Sequence, residues 1–273
     1  MSRHKYYPYL LFLACGIGTM SGQVARYNFD TIYETSRGAW VPNMARAEAD
    51  KAETDALDLL MFDTNDGHKN LVKAKGVGGK GFALDLSCNL PGVENAAKAR
   101  RTLATKEKTR EQNCLTLTGW IKSSAPIKPE TVLFGGYQGS MNSNLSSGFW
   151  LTADDASNLH VSILGGDMAV RSEINDERIS RQGEWIFYAV SWSGETGVFQ
   201  WYLGGESTKA APIAAQEIPE SIGVKIAFRT LHIGASVANH AAYCGVLDDI
   251  RLYAETLTPE QIEEVRRSQL QGK

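Results

Sequence analysis

Closely spaced carboxylates are the first feature of the sequence that could do chemistry. A retaining glycosidase needs two acidic side chains roughly 5 Å apart across the bond that it cleaves. The nearest arrangement is Glu53, Asp55 and Asp58 in the run Glu-Thr-Asp-Ala-Leu-Asp. This run ends in aspartate, lies in an alanine-rich segment and has no aromatic neighbours that would hold a sugar. It is therefore interpreted as a solvated acidic segment.

Glycine and histidine patterns give no stronger catalytic candidate. The run 76–81, Gly-Val-Gly-Gly-Lys-Gly, has the spacing of a dinucleotide fingerprint. That motif aims a helix N-terminus at a pyrophosphate, whereas a strand-like segment follows here. The five histidines form no His-Glu-x-x-His pair, and no Gly-x-Ser-x-Gly is present. His232, between Leu231 and Ile233, is interpreted as a structural strand residue.

Aromatic residues beside polar loops are the candidates for ligand binding. Trp120, Trp185 and Trp192 lie in strongly apolar runs and are expected in the core. A second set of residues flanks polar loops, where rings can stack on a sugar and amides or acids can bond its hydroxyls. Its members are Trp40, Tyr137, Asn142, Asn144, Trp150, Asp154 and Asp155. Such residues are also typical of ordinary exposed turns.

An acidic residue on the apolar face of a strand marks a second candidate site. In the run 246–252, alternate residues share a face, and Asp248 stands between the apolar Val246 and Ile250. A buried carboxylate is costly unless it is hydrogen-bonded, paired with a cation or bound to a metal. Asp248 is therefore expected to have a partner.

The elements that would position these residues are short strands. Apolar or alternating runs, separated by turns rich in Gly, Asn and Ser, predict about 11 to 13 strands in an antiparallel sandwich. The run 185–192 is apolar on both faces, which is typical of a central strand covered on both sides. Residues 31–75 lose the pattern and are predicted as loop. Thr258, Pro259 and Gln261 form a capping box that begins one short C-terminal helix.

Charge is unevenly distributed along the chain. The formal net charge is −3 and the pI is about 6.0, which argues against a general nucleic-acid binder. The segment 89–113 is predicted as a charged insertion, with six basic and three acidic residues and therefore a net charge of +3. Such runs are usually solvated, and contact with an anionic partner is the alternative.

The first residues have the layout of an export signal. A basic patch, an apolar run to about Ile17 and small residues up to Gly22 predict a signal peptide over residues 1–22, too short to be a transmembrane segment. The alternative is a lipoprotein box ending at Cys15, which would tether the protein to a membrane by lipid. Both predict a secreted, periplasmic or cell-surface protein.

Cysteine usage is consistent with export. Besides Cys15, the chain contains Cys88, Cys114 and Cys244, so at most one pair can form among these three. Cys88 and Cys114 bracket the charged insertion and are predicted to form a disulfide, with Cys244 a buried free thiol. Three buried thiols are the alternative.

Several runs, taken in chain order, carry a family resemblance. They are Gly-Phe-Ala-Leu-Asp-Leu (81–86), Leu-Thr-Leu-Thr-Gly-Trp-Ile (115–121), Trp-Ile-Phe-Tyr-Ala-Val-Ser-Trp (185–192), Leu-His-Ile-Gly (231–234) and Gly-Val-Leu-Asp-Asp-Ile-Arg-Leu-Tyr (245–253) followed by Leu-Thr-Pro-Glu-Gln-Ile (257–262). The set resembles bacterial laminin G-like domains of the concanavalin A-like lectin-glucanase type. The resemblance implies an all-β, two-sheet antiparallel jelly roll with one short C-terminal helix. We place this domain at residues 23–268, with a tail at 269–273.

The resemblance also implies a metal and a function. In similar domains the acid at the position of Asp248 often helps to bind a structural calcium ion, here with groups near Asp30. Hydrogen bonding of Asp248 to backbone N–H groups, or pairing with arginine, is the equal alternative. The leading hypothesis for function is a secreted non-catalytic domain that binds a glycan through its loops. The alternatives are a protein-interaction or cell-envelope module, with a cell-surface or extracellular protein as its partner, and a glycoside hydrolase with an unrecognised acid pair.

Overall fold

Two antiparallel β-sheets and one C-terminal helix make up the described part of the chain, as predicted. The structure is a computed structural model that describes residues 23–31, 33–35, 38–47, 59–62, 72–86, 96–100, 111–140, 143–228, 230–234 and 243–271. The predicted signal peptide therefore lies outside the described residues. Within them, no helix has the length and apolar character needed to cross a membrane.

Seventeen strands and one α-helix are found among the described residues. The elements are β1 (Gln23–Tyr27), β2 (Tyr33–Thr35), β3 (Gly38–Val41), β4 (Leu59–Phe62), β5 (Val72–Lys75), β6 (Phe82–Asp85), β7 (Ala96–Arg100), β8 (Cys114–Ser123), β9 (Thr131–Ser140), β10 (Ser143–Ala153), β11 (Asn158–Gly165), β12 (Met168–Asn175), β13 (Ile186–Ser193), β14 (Val198–Gly205), β15 (Ala211–Glu217), β16 (Thr230–Ile233), β17 (Gly245–Tyr253) and α1 (Pro259–Leu270).

The two sheets have different sizes and edges. The eight-stranded sheet has the order β15-β14-β13-β8-β17-β6-β5, and β1 also pairs with β17. The nine-stranded sheet has the order β12-β11-β10-β9-β16-β7-β4-β3-β2. The main core lies between the sheets and takes alternate residues from both, such as Trp192 and Trp201 from one sheet and Phe149 and Leu231 from the other.

A second apolar layer covers the outer face of the eight-stranded sheet. Ile262 and Val265 of α1 pack there in one cluster with Trp120, Trp185 and Phe187. This layer explains why the run 185–192 is apolar on both faces, as the sequence predicted. Trp120, Trp185 and Trp192 are all buried, as expected.

The predicted capping box begins α1. The Thr258 side chain accepts from Gln261 N at 3.3 Å, and Gln261 Oε1 accepts from Thr258 N at 2.8 Å. These reciprocal bonds satisfy two N–H groups that would otherwise lack a partner in the first turn. The helix extends to Leu270, which is two residues into the segment predicted as tail.

Two predictions about secondary structure were wrong. The segment 31–75, predicted as loop, contains β2 to β5. The charged segment 89–113, predicted as an insertion, contributes β7, which pairs with both β16 and β4 inside the nine-stranded sheet. These strands have three to five residues, and their pairing with distant strands, instead of their own pattern, holds them in the sheets.

Candidate functional site

Three aromatic rings stack on the outer face of the nine-stranded sheet, the face turned away from the eight-stranded sheet. Tyr137 lies 5.5 Å from Trp150 and 5.1 Å from His232 between ring centroids, with interplanar angles of 29° and 14°. Trp150 and His232 are 6.0 Å apart. We call these three residues the aromatic platform.

Strand register brings the platform together. In β9, Gly135 pairs with Trp150 of β10 on one side and with His232 of β16 on the other. The neighbours Phe149 and Leu231 belong to the core between the sheets, so alternation turns the platform residues outward. The three rings therefore come from three adjacent strands.

Gly135 makes room for the Trp150 ring. A Cβ atom at this position would lie 2.0 Å from Trp150 Cε3, so the indole lies directly over the glycine backbone. Tyr137 is 8% exposed and His232 is 1% exposed, whereas Trp150 is half-buried. Trp150 is therefore the platform ring with surface left for a ligand.

A polar cluster lies beside the platform on β11 and β12. The buried His160 contacts Asp154 through Nε2 at 2.9 Å, and its Nδ1 lies 3.2 Å from both Arg171 Nε and Glu173 Oε2. His160 pairs with Thr152, two residues along β10 from Trp150. The cluster therefore borders the platform on the same face of the sheet.

Asp154, predicted to bind ligand, accepts hydrogen bonds from residues of its own turn. It accepts from Ala156 N at 2.9 Å, from Asn158 N at 3.0 Å and from the Asn158 amide. Burial raises the pKa of Asp154, but hydrogen bonds from Asn158 and His160 outweigh this and lower it to about 2. Its lone pairs are engaged in holding the β10–β11 hairpin.

The other predicted ligand residues lie in several places. Tyr137 and Trp150 are brought together in the platform, while Asp155 is exposed in the hairpin turn. Trp40 in β3 lies three strands away from His232 along one row of backbone pairs. Trp40 pairs with Leu60, Leu60 with Lys98, and Lys98 with His232. Asn144 lies in β10, and its side chain and all of Asn142 are outside the described residues.

Sequence reasoning missed His232 as a platform member. The available signal was its position between two residues that alternate into the core, which turns its ring to the outer face. Its contact with Tyr137 depends on the pairing of β16 with β9, and no local pattern reveals that pairing.

A β-bulge changes the predicted faces of β17. The pairing with β8 shifts between Asp248 and Arg251, and Asp249 has a φ of 42°. As a result Leu247 and Ile250 face the core between the sheets, while Val246 belongs to the outer cluster beneath α1. Asp248 was expected on the face of Ile250, and this was wrong, because the bulge breaks the alternation.

Asp248 is completely buried, and both of its side-chain oxygen atoms accept hydrogen bonds. Its Oδ2 accepts from Val77 N at 2.9 Å and from Gln269 Nε2 at 3.2 Å, and its Oδ1 accepts from Asp249 N at 2.8 Å. Asp30 Oδ1 accepts from Phe82 N at 2.7 Å. The two carboxylates thus hold the two ends of the glycine-rich run 76–81.

These contacts bear on the predicted calcium site. Calcium requires six to eight oxygen ligands, and the oxygen atoms of Asp248 already accept hydrogen bonds. Within the described residues, no group of three or more His, Cys, Asp or Glu side chains is placed to hold a metal. The donor set at Asp248 does not fit calcium, and the geometry favours the hydrogen-bonded alternative.

A direct test decides between calcium binding by Asp30 and Asp248 and the hydrogen-bonded alternative. Given the contacts of Asp248, we expect the melting temperature of the chelated protein to be unchanged by added calcium. Differential scanning calorimetry in EDTA and in millimolar calcium measures this. A rise of several degrees that disappears in Asp248→Asn would restore the calcium site, because ligands that bind only the folded state stabilise it.

The predicted Cys88–Cys114 disulfide is not formed in the structure. Cys114 has a free thiol, whose Sγ donates to Ala254 O at 3.2 Å, and burial raises its pKa. Cys88 lies outside the described residues. Cys244, predicted as buried, is half-buried.

Solved structures share this fold. The binding domain of botulinum neurotoxin DC in complex with rat synaptotagmin II has a TM-score of 0.58 at 9% identity, over 91% of this chain and 52% of that one. Domain 4 of AbnA, a GH43 extracellular arabinanase from Geobacillus stearothermophilus, in complex with arabinotriose, has a TM-score of 0.52 at 15% identity, over 89% and 98%.

A third structure concerns botulinum neurotoxin type C, whose cell entry depends on interaction with two ganglioside molecules. It has a TM-score of 0.58 at 10% identity, over 91% of this chain and 51% of that chain. The chain thus spans about half the length of the neurotoxin structures. At such identities the likeness shows the fold alone.

Sequence comparison assigns the family. No curated protein sequence is a significant match to the chain. The family model of laminin G type that is described as the concanavalin A-like lectin/glucanases superfamily matches residues 98–263. This is more than half of the 273 residues, and the chain therefore belongs to the concanavalin A-like lectin/glucanases superfamily.

Proposed function

We propose that the chain is a non-catalytic carbohydrate-binding module that stacks a sugar ring on Trp150. The observation that carries this proposal is the platform itself, a half-buried indole supported by the stacked ring of Tyr137. An aromatic face offers a flat apolar surface, and its supporting contacts fix its orientation before a ligand arrives. The binding surface is thus a sheet face, whereas the sequence suggested loops.

Polar groups beside Trp150 would orient the sugar. Ser162 pairs directly with Trp150 across β10 and β11 and is partly exposed. Arg171 pairs with Ser162 on the next strand, and its side chain is 53% exposed. Hydroxyl and guanidinium groups of this kind donate to sugar hydroxyls at the rim of a stacked ring.

Two acidic residues, one beside the platform and one below the surface, support a non-catalytic module. A glycosidase acid needs a raised pKa so that it still carries its proton at neutral pH. Asp154 beside the platform has a lowered pKa of about 2. Asp248 has a raised pKa of about 7, but it is completely buried beneath α1 and out of reach of a polysaccharide.

Two structural neighbours and the predicted signal peptide support sugar binding outside the cytoplasm. One structural neighbour is an arabinanase domain in complex with arabinotriose, and another belongs to a toxin that depends on gangliosides. The predicted signal peptide at residues 1–22, or a lipid on Cys15, would place the module outside the cytoplasm. A sugar ligand of a cell surface or an extracellular polysaccharide is consistent with both.

A glycan array probed with the full chain and with Trp150→Ala tests the proposal. We expect binding of at least one saccharide class, weakened about tenfold or more by the substitution because the stacking surface is lost. Phe82→Ala is the matched control, since Phe82 is an exposed aromatic residue on the eight-stranded sheet. Circular dichroism checks that both variants remain folded.

The array has two contrary outcomes. If no glycan binds, the sugar proposal fails and a protein-interaction module takes its place. If Trp150→Ala and Phe82→Ala bind as the unchanged chain does, the module binds sugar at a site other than the platform.

A further inference from the structure

The polar cluster beside the platform is organised around the side chain of His160. This residue is 4% exposed and lies in β11, between the turn that follows β10 and the edge strand β12. Its Nε2 atom lies 2.9 Å from Asp154 Oδ2. Its Nδ1 atom lies 3.2 Å from Arg171 Nε and 3.2 Å from Glu173 Oε2. Both ring nitrogens therefore have polar neighbours.

Asp154 determines which nitrogen of the neutral ring carries the hydrogen. The lowered pKa of Asp154, about 2, keeps its carboxylate ionised in neutral and mildly acidic solution. An ionised carboxylate can only accept hydrogen bonds, so Nε2 of His160 must donate to Asp154. A neutral imidazole has one N–H group. Its Nδ1 atom therefore carries a lone pair, which accepts from Arg171 Nε.

The two neighbours of Nδ1 require opposite protonation states of the ring. Arg171 Nε can only donate, so it needs the lone pair of the neutral ring. An ionised Glu173 can only accept, so its Oε2 gains a hydrogen bond only after Nδ1 is protonated. The neutral ring of His160 therefore holds Arg171, whereas the charged ring holds Glu173 and repels the guanidinium.

Arg171 connects this ring to the surface beside Trp150. Backbone pairing places Arg171 opposite Ser162 and Ser162 opposite Trp150, so the three residues lie in one row. Within the described residues, the polar contacts of the Arg171 side chain are made through Nε, to His160 and Glu173. The side chain is 53% exposed, and its terminal nitrogen atoms remain for a ligand.

We infer that His160 is a positioning residue of the sugar site, which fixes the guanidinium of Arg171 beside Trp150 when neutral and releases it when protonated. The inference rests on the proposed sugar-binding function and adds the regulation of that site by pH. With Nε held, the Arg171 side chain loses fewer conformations when a saccharide binds, and its terminal N–H groups donate to hydroxyl oxygens. Sugar binding should therefore weaken in mildly acidic solution.

The charged groups around His160 come from two elements. Asp154 contacts it from the β10–β11 hairpin, and Arg171 and Glu173 contact it from β12. On β10 itself, the residue opposite is the uncharged Thr152. Histidine is the side chain that ordinarily changes charge between about pH 5 and 8. Since His232 of the platform is also a histidine, the test must separate the two rings.

Nitrogen NMR of the histidine rings tests the inference without a ligand. The full chain, labelled with ¹⁵N, is titrated from pH 5.5 to 8.5, and His160→Gln assigns the signals. We expect Nε2 of His160 to carry hydrogen throughout and Nδ1 to gain hydrogen as the pH falls. The Arg171 Nε–H signal should shift at the same midpoint. An Nδ1 atom that does not change its protonation, or an Arg171 signal that does not move, would overturn the inference.

The glycan array, probed at pH 8.0 and pH 5.5, measures the effect on binding. For the saccharides that bind at pH 8.0, we expect the affinity of the unchanged chain to fall about fivefold or more at pH 5.5. The amide of His160→Gln can donate to Asp154 and accept from Arg171 but does not titrate. Its affinities at the two pH values should therefore agree within about twofold. Arg171→Gln should bind weakly at both.

Arg181→Gln is the matched control for Arg171→Gln. Arg181 is 45% exposed and pairs with Glu177 in the connection between β12 and β13, outside the platform and the polar cluster. This variant should bind as the unchanged chain does at pH 8.0 and lose affinity at pH 5.5 to the same extent. Circular dichroism at both pH values checks that each variant is folded.

The contrary results separate this inference from the proposed function. If the pH dependence persists in His160→Gln, another group such as His232 causes it and the inference is wrong. Equal affinities of the unchanged chain at the two pH values would contradict it as well, while leaving sugar binding intact. If no saccharide binds at either pH, the proposed function fails, and the NMR titration still decides whether His160 controls Arg171.

Discussion

Replacing Arg251 by Met is expected to destabilise the protein by about 3 kcal/mol, because it leaves a buried carboxylate without its main partner. Arg251 Nε donates to Asp249 Oδ2 at 2.8 Å, and both side chains are almost completely buried. Arg251 also donates to Ser268 Oγ of α1 at 2.7 Å. This loss of stability is at the lower end of the range for breaking a buried ion pair. The reason is that Arg26 still lies 3.2 Å from Asp249.

Urea denaturation of the full chain at neutral pH measures this effect. The matched control is Arg267→Met on α1, whose side chain is 58% exposed and 3.9 Å from Glu263. That exposed pair should contribute less than about 0.5 kcal/mol. The double variant Arg251→Met with Asp249→Asn should recover part of the lost stability, since it removes the buried Asp249 charge that no longer has Arg251 as its partner. Equal effects for Arg251 and Arg267 would show that the buried pair contributes little.

The stability of the protein should decrease as the pH rises from about 4 to 7, through the titration of Asp248. Burial raises the pKa of Asp248 to about 7, the neighbouring Asp249 adds to this, and N–H groups of Val77 and Asp249 oppose it. An unfolded aspartate has a pKa of about 3.9. Between these values the folded state binds a proton that the unfolded state has lost, so each rise in pH favours unfolding.

The size of this effect follows from the two pKa values. Their difference is roughly three pH units, which corresponds to about 4 kcal/mol. Asp248→Asn should remove this decrease, so that its free energy of unfolding changes less between pH 4.5 and 8 than that of the unchanged chain. Urea denaturation in EDTA at several pH values measures both curves. Parallel curves for the two proteins would show that Asp248 keeps an ordinary pKa.

These two predictions concern the same bulge in β17. The positive φ of Asp249 turns Asp248 under α1 and directs Asp249 toward Arg26 of β1 and Arg251. The bulge therefore leaves two neighbouring acids buried, and Val77 N and Gln269 of α1 contact Asp248. Its role is to join the helix, the first strand and the glycine-rich run.

Much of the fold could be predicted from local patterns. The run 115–121 alternates, the run 185–192 is apolar on both faces, and the capping box begins α1 where expected. Short strands such as β3 and β7 could not be predicted, because their few residues carry too weak a pattern. They are strands because paired neighbours satisfy their backbone groups.

The candidate site was predicted only in part. Tyr137 and Trp150 were singled out because they are aromatic residues beside polar loops, and the structure brings them into contact. Asp154 was singled out as an acid in a polar turn that could bond sugar hydroxyls, but its lone pairs are engaged within its own hairpin. A residue type can suggest chemistry, whereas its free donors and acceptors depend on neighbours that folding supplies.

The sequence alone determined the class of this protein: an all-β sandwich with a capped C-terminal helix, carrying a run of motifs typical of laminin G-like domains. These features depend on local periodicity and capping, which adjacent residues specify. Only the tertiary structure decided that His232 joins Tyr137 and Trp150, and that Asp248 faces α1. The reason is physical: register between distant strands and a single bulge set these neighbours, and both result from packing of the whole chain.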